Sequence, residues 1–383
     1  MGEGLFGKIF GKGKNKESGS VGAEVVEAVA ARAVGDLGKA MILKFKNGGS
    51  LSEVENDNKI CIDDNLIYNL INQCTDGELD KKIKGTKKTV GEISTLTIPK
   101  DTLLKFREVL KNEDLAKALQ MTGSVSQVAS LGVLVVAAGM LKKANVKLDE
   151  INQSVSEISN FQNSQYKGKV AGLMDDIQGV TEFQMETMRN KDERNRELMN
   201  LRNQENNCAE LLNQADSAIQ EIISSEHKSF KNYVDNTANI EKWYNYQNIL
   251  ILLLKQISEL KLTFSLGVIS QEKSFSKYEK NLPRIIEVRK ELRDWHLKNM
   301  GYYSVDLKEK KYQRVGSVFD AAKRIPIGAL ANKISENTIS DDMIKNIEKQ
   351  TNDNYDNLVA ASGNQFEEDV KMVVEDGKLY YVS

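Results

Sequence analysis

No proline occurs between Pro99 and Pro283, and that gap constrains the fold more than any other feature of the chain. Proline inside a helix costs about 3 kcal/mol and normally marks loops. So long a run without one, rich in Glu, Lys, Gln, Leu and Met, predicts a few long helices and a mainly α chain. The 383 residues can bury more than one core. Hydrophobic residues make up 40% and the net charge is −2, values that exclude a multi-span membrane protein. Near-neutral charge also argues against nucleic acid as a partner, because phosphates demand a basic field. Cys61, Cys74 and Cys208 are odd in number and unequally spaced. They make no disulfide framework and suit a reducing compartment.

Ala118–Leu141 runs for 24 residues without a formal charge. In a chain that is 28% charged, such a segment is expected to be buried in protein or in lipid. A bilayer-crossing helix needs about 20 residues, so length permits insertion. Composition is less favourable. Val128, Leu131, Val133, Leu134, Val135, Val136 and Leu141 together favour insertion by about 2–4 kcal/mol. Gln120, Thr122, Ser124, Ser126, Gln127 and Ser130 oppose it, and Gly123, Gly132 and Gly139 weaken the helix. The sum is near zero, which argues against a permanent, isolated span. Gly132 and Gly139 fall on nearly one helix face and would let a neighbour approach closely, in water or in membrane.

Heptad spacing follows. Leu141, Ala144, Leu148, Ile151, Val155 and Ile158 alternate steps of three and four, the pattern of a coiled-coil seam. The phase slips near 161–165 and resumes at Tyr166, Val170, Leu173, Ile177 and Val180; such a slip alters winding without requiring a break. A further set comprises Leu198, Leu201, Glu205, Cys208, Leu212, Ala215, Ile219 and Ile222. Glu205 is its misfit, so the seam is expected to be open to water there or to start at Cys208. Trp243, Tyr244, Tyr246 and the short run Ile249–Leu254 read as core of another helix, too short for a span.

Five regions are expected: a tail at 1–20, a mainly helical region at 21–117, the apolar element at 118–141, a long-helix bundle at 142–300, and a small α/β cap at 301–383. Within them, Val26, Ala30, Ala33, Leu37 and Met41 form a small-residue stripe. The run Asp63-Asp64-Asn65 is placed to cap a helix reaching Gln73, 93–98 reads as a strand, and Asp101 is expected to cap the helix that follows Pro99. Ser340-Asp341-Asp342 caps a helix with Met343, Ile344 and Ile347, extended to Tyr355 and Leu358. Val370–Val374 and Lys378–Val382 flank Asp376-Gly377, a tight-turn pair, and form a β-hairpin. The fold class is thus mainly α: an elongated bundle of coiled-coil-like helices, an apolar helical element, and a small C-terminal α/β region ending in a hairpin.

The sequence has no His-Glu-x-x-His, Cys-x-x-Cys or Gly-x-Ser-x-Gly motif. His227 and His296 lie in no metal-ligand spacing, and Gly2–Lys8 imitates a P-loop but has Ile9 where Ser or Thr should hold magnesium. Asp57–Asp64 lacks an EF-hand's central glycine and terminal glutamate. The lysines at 81–88 read as solvated charge, because no aromatic residues interleave with them. No catalytic, cofactor or metal site is therefore expected, nor an enzyme. The N-terminus is too broken by Lys and Gly for a secretory leader, which points to the cytoplasm. Leu5, Phe6, Ile9 and Phe10 make a short amphipathic patch, either a membrane-interface anchor or a plain tail.

An apolar element joined to long heptad-bearing helices over roughly residues 100–280 resembles α-helical pore-forming toxins of the cytolysin A and haemolysin BL kind. The resemblance is one of layout, with no shared diagnostic motif. It implies a non-enzymatic, bacterial-type, oligomeric protein that inserts conditionally through 118–141. Lipid would then meet Leu131, Val133, Leu134, Val135, Val136, Met140 and Leu141, with Leu5, Phe6, Ile9 and Phe10 assisting. Gly132, Gly139, Leu148, Ile151, Val155 and Ile158 would pack helices. The competing expectation is a soluble cytoplasmic coiled-coil scaffold that binds itself or another helical protein.

Overall fold

The computed structural model describes residues 46–47, 59–88, 93–111, 124–158, 164–182, 187–188, 190–225, 229–312, 337–352 and 363–382. The N-terminal patch, the small-residue stripe at 26–41, residues 118–123, His227, and Tyr355 and Leu358 lie outside them. In chain order the elements are β1 (Lys46–Asn47), β2 (Lys59–Cys61), α1 (Asn65–Cys74), α2 (Glu78–Thr86), β3 (Ser94–Ile98), α3 (Lys100–Leu110) and α4 (Ser124–Glu157). There follow α5 (Ser164–Glu182), α6 (Lys191–Ser224), α7 (Phe230–Phe264), α8 (Gln271–Tyr302), β4 (Lys311–Tyr312), β5 (Asn337–Thr338), α9 (Asp341–Thr351), β6 (Val370–Glu375) and β7 (Lys378–Val382). The protein is mainly helical with a small sheet, as the proline gap requires.

Local signals explain many boundaries. Asp64 accepts hydrogen bonds from Leu66 N and Ile67 N, capping α1, and Ser340 does the same for Met343 N at the start of α9. Each such cap stabilises its helix by about 1 kcal/mol. Asp64→Ala is accordingly expected to lower stability by about 1 kcal/mol, read as a lower urea midpoint. Asn190 caps α6, so the polar stretch 191–207 is the first half of a long helix. The phase slip after Ile158 separates two helices, α4 and α5.

Helix α6, of 34 residues, and α7, of 35 residues, each span roughly 50 Å at about 1.5 Å per residue. Their cross-links, Glu205 to Lys261, Cys208 to Leu250 and Asp216 to Gln247, run in opposite senses, so the two are antiparallel. Bonds from Tyr233 to His296 and from Gln247 to Arg289 set α7 antiparallel to α8 in the same way. Most heptad positions are buried: Leu148, Ile151, Val155 and Ile158, then Val170 and Ile177, then Leu201, Cys208, Leu212 and Ile219, while Val180, Leu198 and Ile222 are half-buried. Glu205 departs from its expectation, because it is 6% exposed; the seam is closed there and a lysine on α7 makes that possible.

All five strands of the main sheet are antiparallel, in the order β1-β3-β6-β7-β2. The hairpin turn has left-handed Asp376 and Gly377, with φ of 47° and 74°, the geometry that matches strand twist. The segment 301–383 is a unit only in sequence. Its part 337–351 packs on the far end of the bundle through α7 and α8, whereas β6 and β7 join strands from the first hundred residues. One core joins the sheet, α1, α3, α4 and the near half of the bundle. A second core fills the far end around Tyr233, Trp295 and α9.

Candidate functional site

Strand periodicity creates a greasy sheet face. Leu96, Ile98, Val370, Met372, Val374, Leu379 and Tyr381 are all buried, and pairing aligns Ile98 with Val370, Leu96 with Met372 and Met372 with Tyr381. The first half of α4 lies against this face, with α1, α3 and α7 around it. From Val128 to Leu141 only Ala138 is more than 9% exposed; Leu131, Leu134, Val135, Val136 and Leu141 are fully covered. Every membrane-contact candidate from Leu131 to Leu141 therefore sits within protein here. Those at Leu5–Phe10 lie outside the described residues.

The two glycines explain how closely the sheath fits. A Cβ on Gly139 would come within 2.3 Å of Tyr381 Cδ1, and one on Gly132 within 2.4 Å of Leu103 Cδ2. Both glycines thus serve contacts within the chain, with the sheet and with α3. Tyr381 keeps its phenol protonated: burial, with Glu368 nearby, pushes its pKa well up. Thr263 Oγ1 on α7 meets Met140 Sδ at 3.6 Å.

Charge returns abruptly at the end of the apolar stretch. Lys142 Nζ donates to Cys61 O and to Asp63 Oδ2, both at 3.0 Å, and this hydrogen bond holds the Asp63 carboxyl below its ordinary range. At the opposite rim Arg107 Nη1 pairs with Glu367 at 2.8 Å, and Lys100 N donates to Asp369 at 2.9 Å. Such exposed pairs contribute about 0–1 kcal/mol each. The rim is fastened lightly, while the interior is apolar and well packed.

Three buried polar layers cross the bundle, and sequence reading found none of them. Lys261 Nζ bonds Glu205 Oε1 at 2.7 Å and Ser274 O at 3.0 Å. Asp216 accepts from Gln247 at 2.6 Å and from Arg284 at 2.7 Å, and Gln247 accepts from Arg289 at 2.8 Å. At the far end His296 sits between Tyr233 and Gln350, 2.9 Å from each. The hints lay in spacing: Glu205 occupies a heptad position, and Leu292 and His296 continue the helical stripe of Ile285 and Val288. Side-chain partners 31 to 68 residues away leave no local trace.

These layers hold no catalytic arrangement. Burial raises the Cys208 thiol far above its ordinary range, the opposite of an activated nucleophile. Among the described residues no cluster of His, Cys, Asp and Glu is arranged to hold a metal ion. An open groove of about 590 Å³ carries Glu221, Glu291, Asp294 and Lys298 beside Trp295. Gln220 already binds Glu291 at 2.9 Å, and no acid–base pair converges there.

Among the described residues one helix, Val128–Ser156, is long and apolar enough to cross a membrane, with a mean hydropathy of 1.4 and 78% of the window buried. A soluble core helix has the same properties. No family model matches the sequence, and no curated protein or solved structure is significantly similar to it. The pore-former layout therefore carries no support from fold comparison, and function rests on the geometry above.

Proposed function

We propose that this is a non-enzymatic helical-bundle protein that associates with membranes conditionally, by parting the sheath around α4 and presenting residues 128–141 to lipid. The supporting observation is the contrast at that sheath: the uncharged residues 128–141, which open the described helix apolar enough to cross a membrane, lie under a cover made from separate chain segments, fastened at its rim by exposed ion pairs. Opening is not free. Each large aliphatic side chain bared to water costs about 1.5–3 kcal/mol, and parting the head bares the inner sheet face as well as α4. The open form must cover both, which makes self-association on the membrane part of the proposal.

A second reading, a soluble scaffold whose head is simply a packed core, is favoured by the fit of Gly132 and Gly139 against Leu103 and Tyr381. One experiment separates the two on the unaltered chain. The protein is mixed, at pH 7.5 and at pH 5, with anionic vesicles containing a lipid that bears a photoreactive acyl chain. Flotation followed by peptide mapping is expected to find the protein with the vesicles and cross-links within 128–141. Absence of flotation at both pH values, or cross-links only elsewhere, removes the membrane reading and leaves the scaffold.

A further inference from the structure

We propose that His296 is an acid-sensitive pin that fastens α9 to the far end of the bundle and releases it when the ring takes up a proton. This inference is independent of the lipid reading above. It starts from hydrogen-bond directions. Gln350 Nε2 donates to Thr237 O at 3.3 Å and to Glu241 Oε2 at 3.0 Å, so its Oε1 must accept. The His296 Nε2 at 2.9 Å from that oxygen is therefore the protonated nitrogen. Nδ1 is then bare and accepts from the Tyr233 hydroxyl at 2.9 Å. Every donor and acceptor in this chain of bonds is matched only while the imidazole is neutral.

A second proton on Nδ1 breaks the match. The Tyr233 hydroxyl, fully buried, would have to turn and accept, and its own hydrogen would face apolar neighbours. Among the described residues the ring's hydrogen-bond partners are Tyr233 and Gln350 and include no carboxylate, and Glu241 is engaged by Gln350 and by Lys349 at 2.8 Å. Trp295 meets the imidazole edge-on, and Tyr303 stacks on Tyr233. The groove beside Trp295 carries the charged groups Glu221, Glu291, Asp294 and Lys298. Burial of an unpaired cation is strongly unfavourable, and the element that can yield is α9. It is 11 residues long and grips the bundle with Met343, Ile344, Ile347 and Gln350.

Burial pulls the His296 pKa down from 6.5 to about 4. The folded value lies below the free one, so the contribution of the neutral ring is complete above pH 6.5 and is lost as pH falls towards 4. At pH 5 the equilibrium for releasing α9 is expected to rise about thirtyfold over pH 7.5.

Amide hydrogen exchange of residues 341–351, corrected for intrinsic rates, reads that ratio directly. In the wild type, exchange is expected to accelerate about thirtyfold between pH 7.5 and 5. His296→Gln, which cannot titrate, is expected to remove the acceleration, and Glu241→Gln to leave it in place. An α9 that exchanges equally at both pH values, or an acceleration that survives His296→Gln, overturns the proposal. Should His296→Gln fail to fold, NMR titration of the His296 ring in the wild type decides. A midpoint below pH 5.5 that coincides with α9 release supports the pin; titration near pH 6.5 with α9 still docked overturns it.

Discussion

Lys261→Met lowers the stability of the folded chain by about 3–5 kcal/mol, because it leaves the carboxylate of Glu205 buried without its cation. The two side chains are 6% and 8% exposed and 2.7 Å apart, so neither end can turn to water when the other is lost. Glu205→Leu, which strands the ammonium instead, belongs in the same range. The double replacement behaves differently. Apolar residues of similar volume remove both desolvation penalties at once, and the result is expected to match the wild type or exceed it by up to about 4 kcal/mol. Urea unfolding with an unchanged slope measures all three. A double variant as unstable as either single one would show that this layer has a value beyond its own pairing.

Gly139→Val is expected to cost about 3 kcal/mol, the upper part of the range for overfilling a packed core. The added Cβ lies 2.3 Å from Tyr381 Cδ1 and 2.7 Å from Cε1, and that ring is wedged on the inner face of β7, 3% exposed. Shortening the obstacle with Tyr381→Leu should recover part of the loss. Gly132→Ala is milder, about 1 kcal/mol, because its nearest obstacle is the end of the Leu103 side chain, which can rotate. Gly172→Ala on α5 meets nothing within 4 Å and is expected to stabilise by about 0.5–1 kcal/mol. Thermal unfolding of the three variants orders them.

What the sequence made legible is whatever is encoded locally or periodically. The caps at Asp64 and Ser340, the strand at 94–98, the turn at Asp376-Gly377 and the buried stripe Leu148, Ile151, Val155 and Ile158 are signals within a few residues, and all are present. What escaped is encoded by pairing at a distance. Glu205 reads as a defect in its own helix, because the lysine that completes it lies 56 residues later. The hairpin reads as a terminal cap, because nothing near it reveals that β6 will pair with Thr95 and Leu96. The apolar stretch was visible at once, yet hydropathy reports only that a surface avoids water. Whether sheet or lipid covers it depends on partners elsewhere in the chain.

The main sheet imposes an order of events on synthesis. The greasy half of α4 leaves the ribosome roughly 230 residues before the strands β6 and β7 that shield it, an interval of roughly 10–45 s at ordinary elongation rates. Throughout that time the nascent chain carries a helix without its full cover, which invites chaperones, sister chains or a nearby bilayer to bind it first. Loss of the last dozen residues by a stop codon or a protease would make this transient exposure permanent.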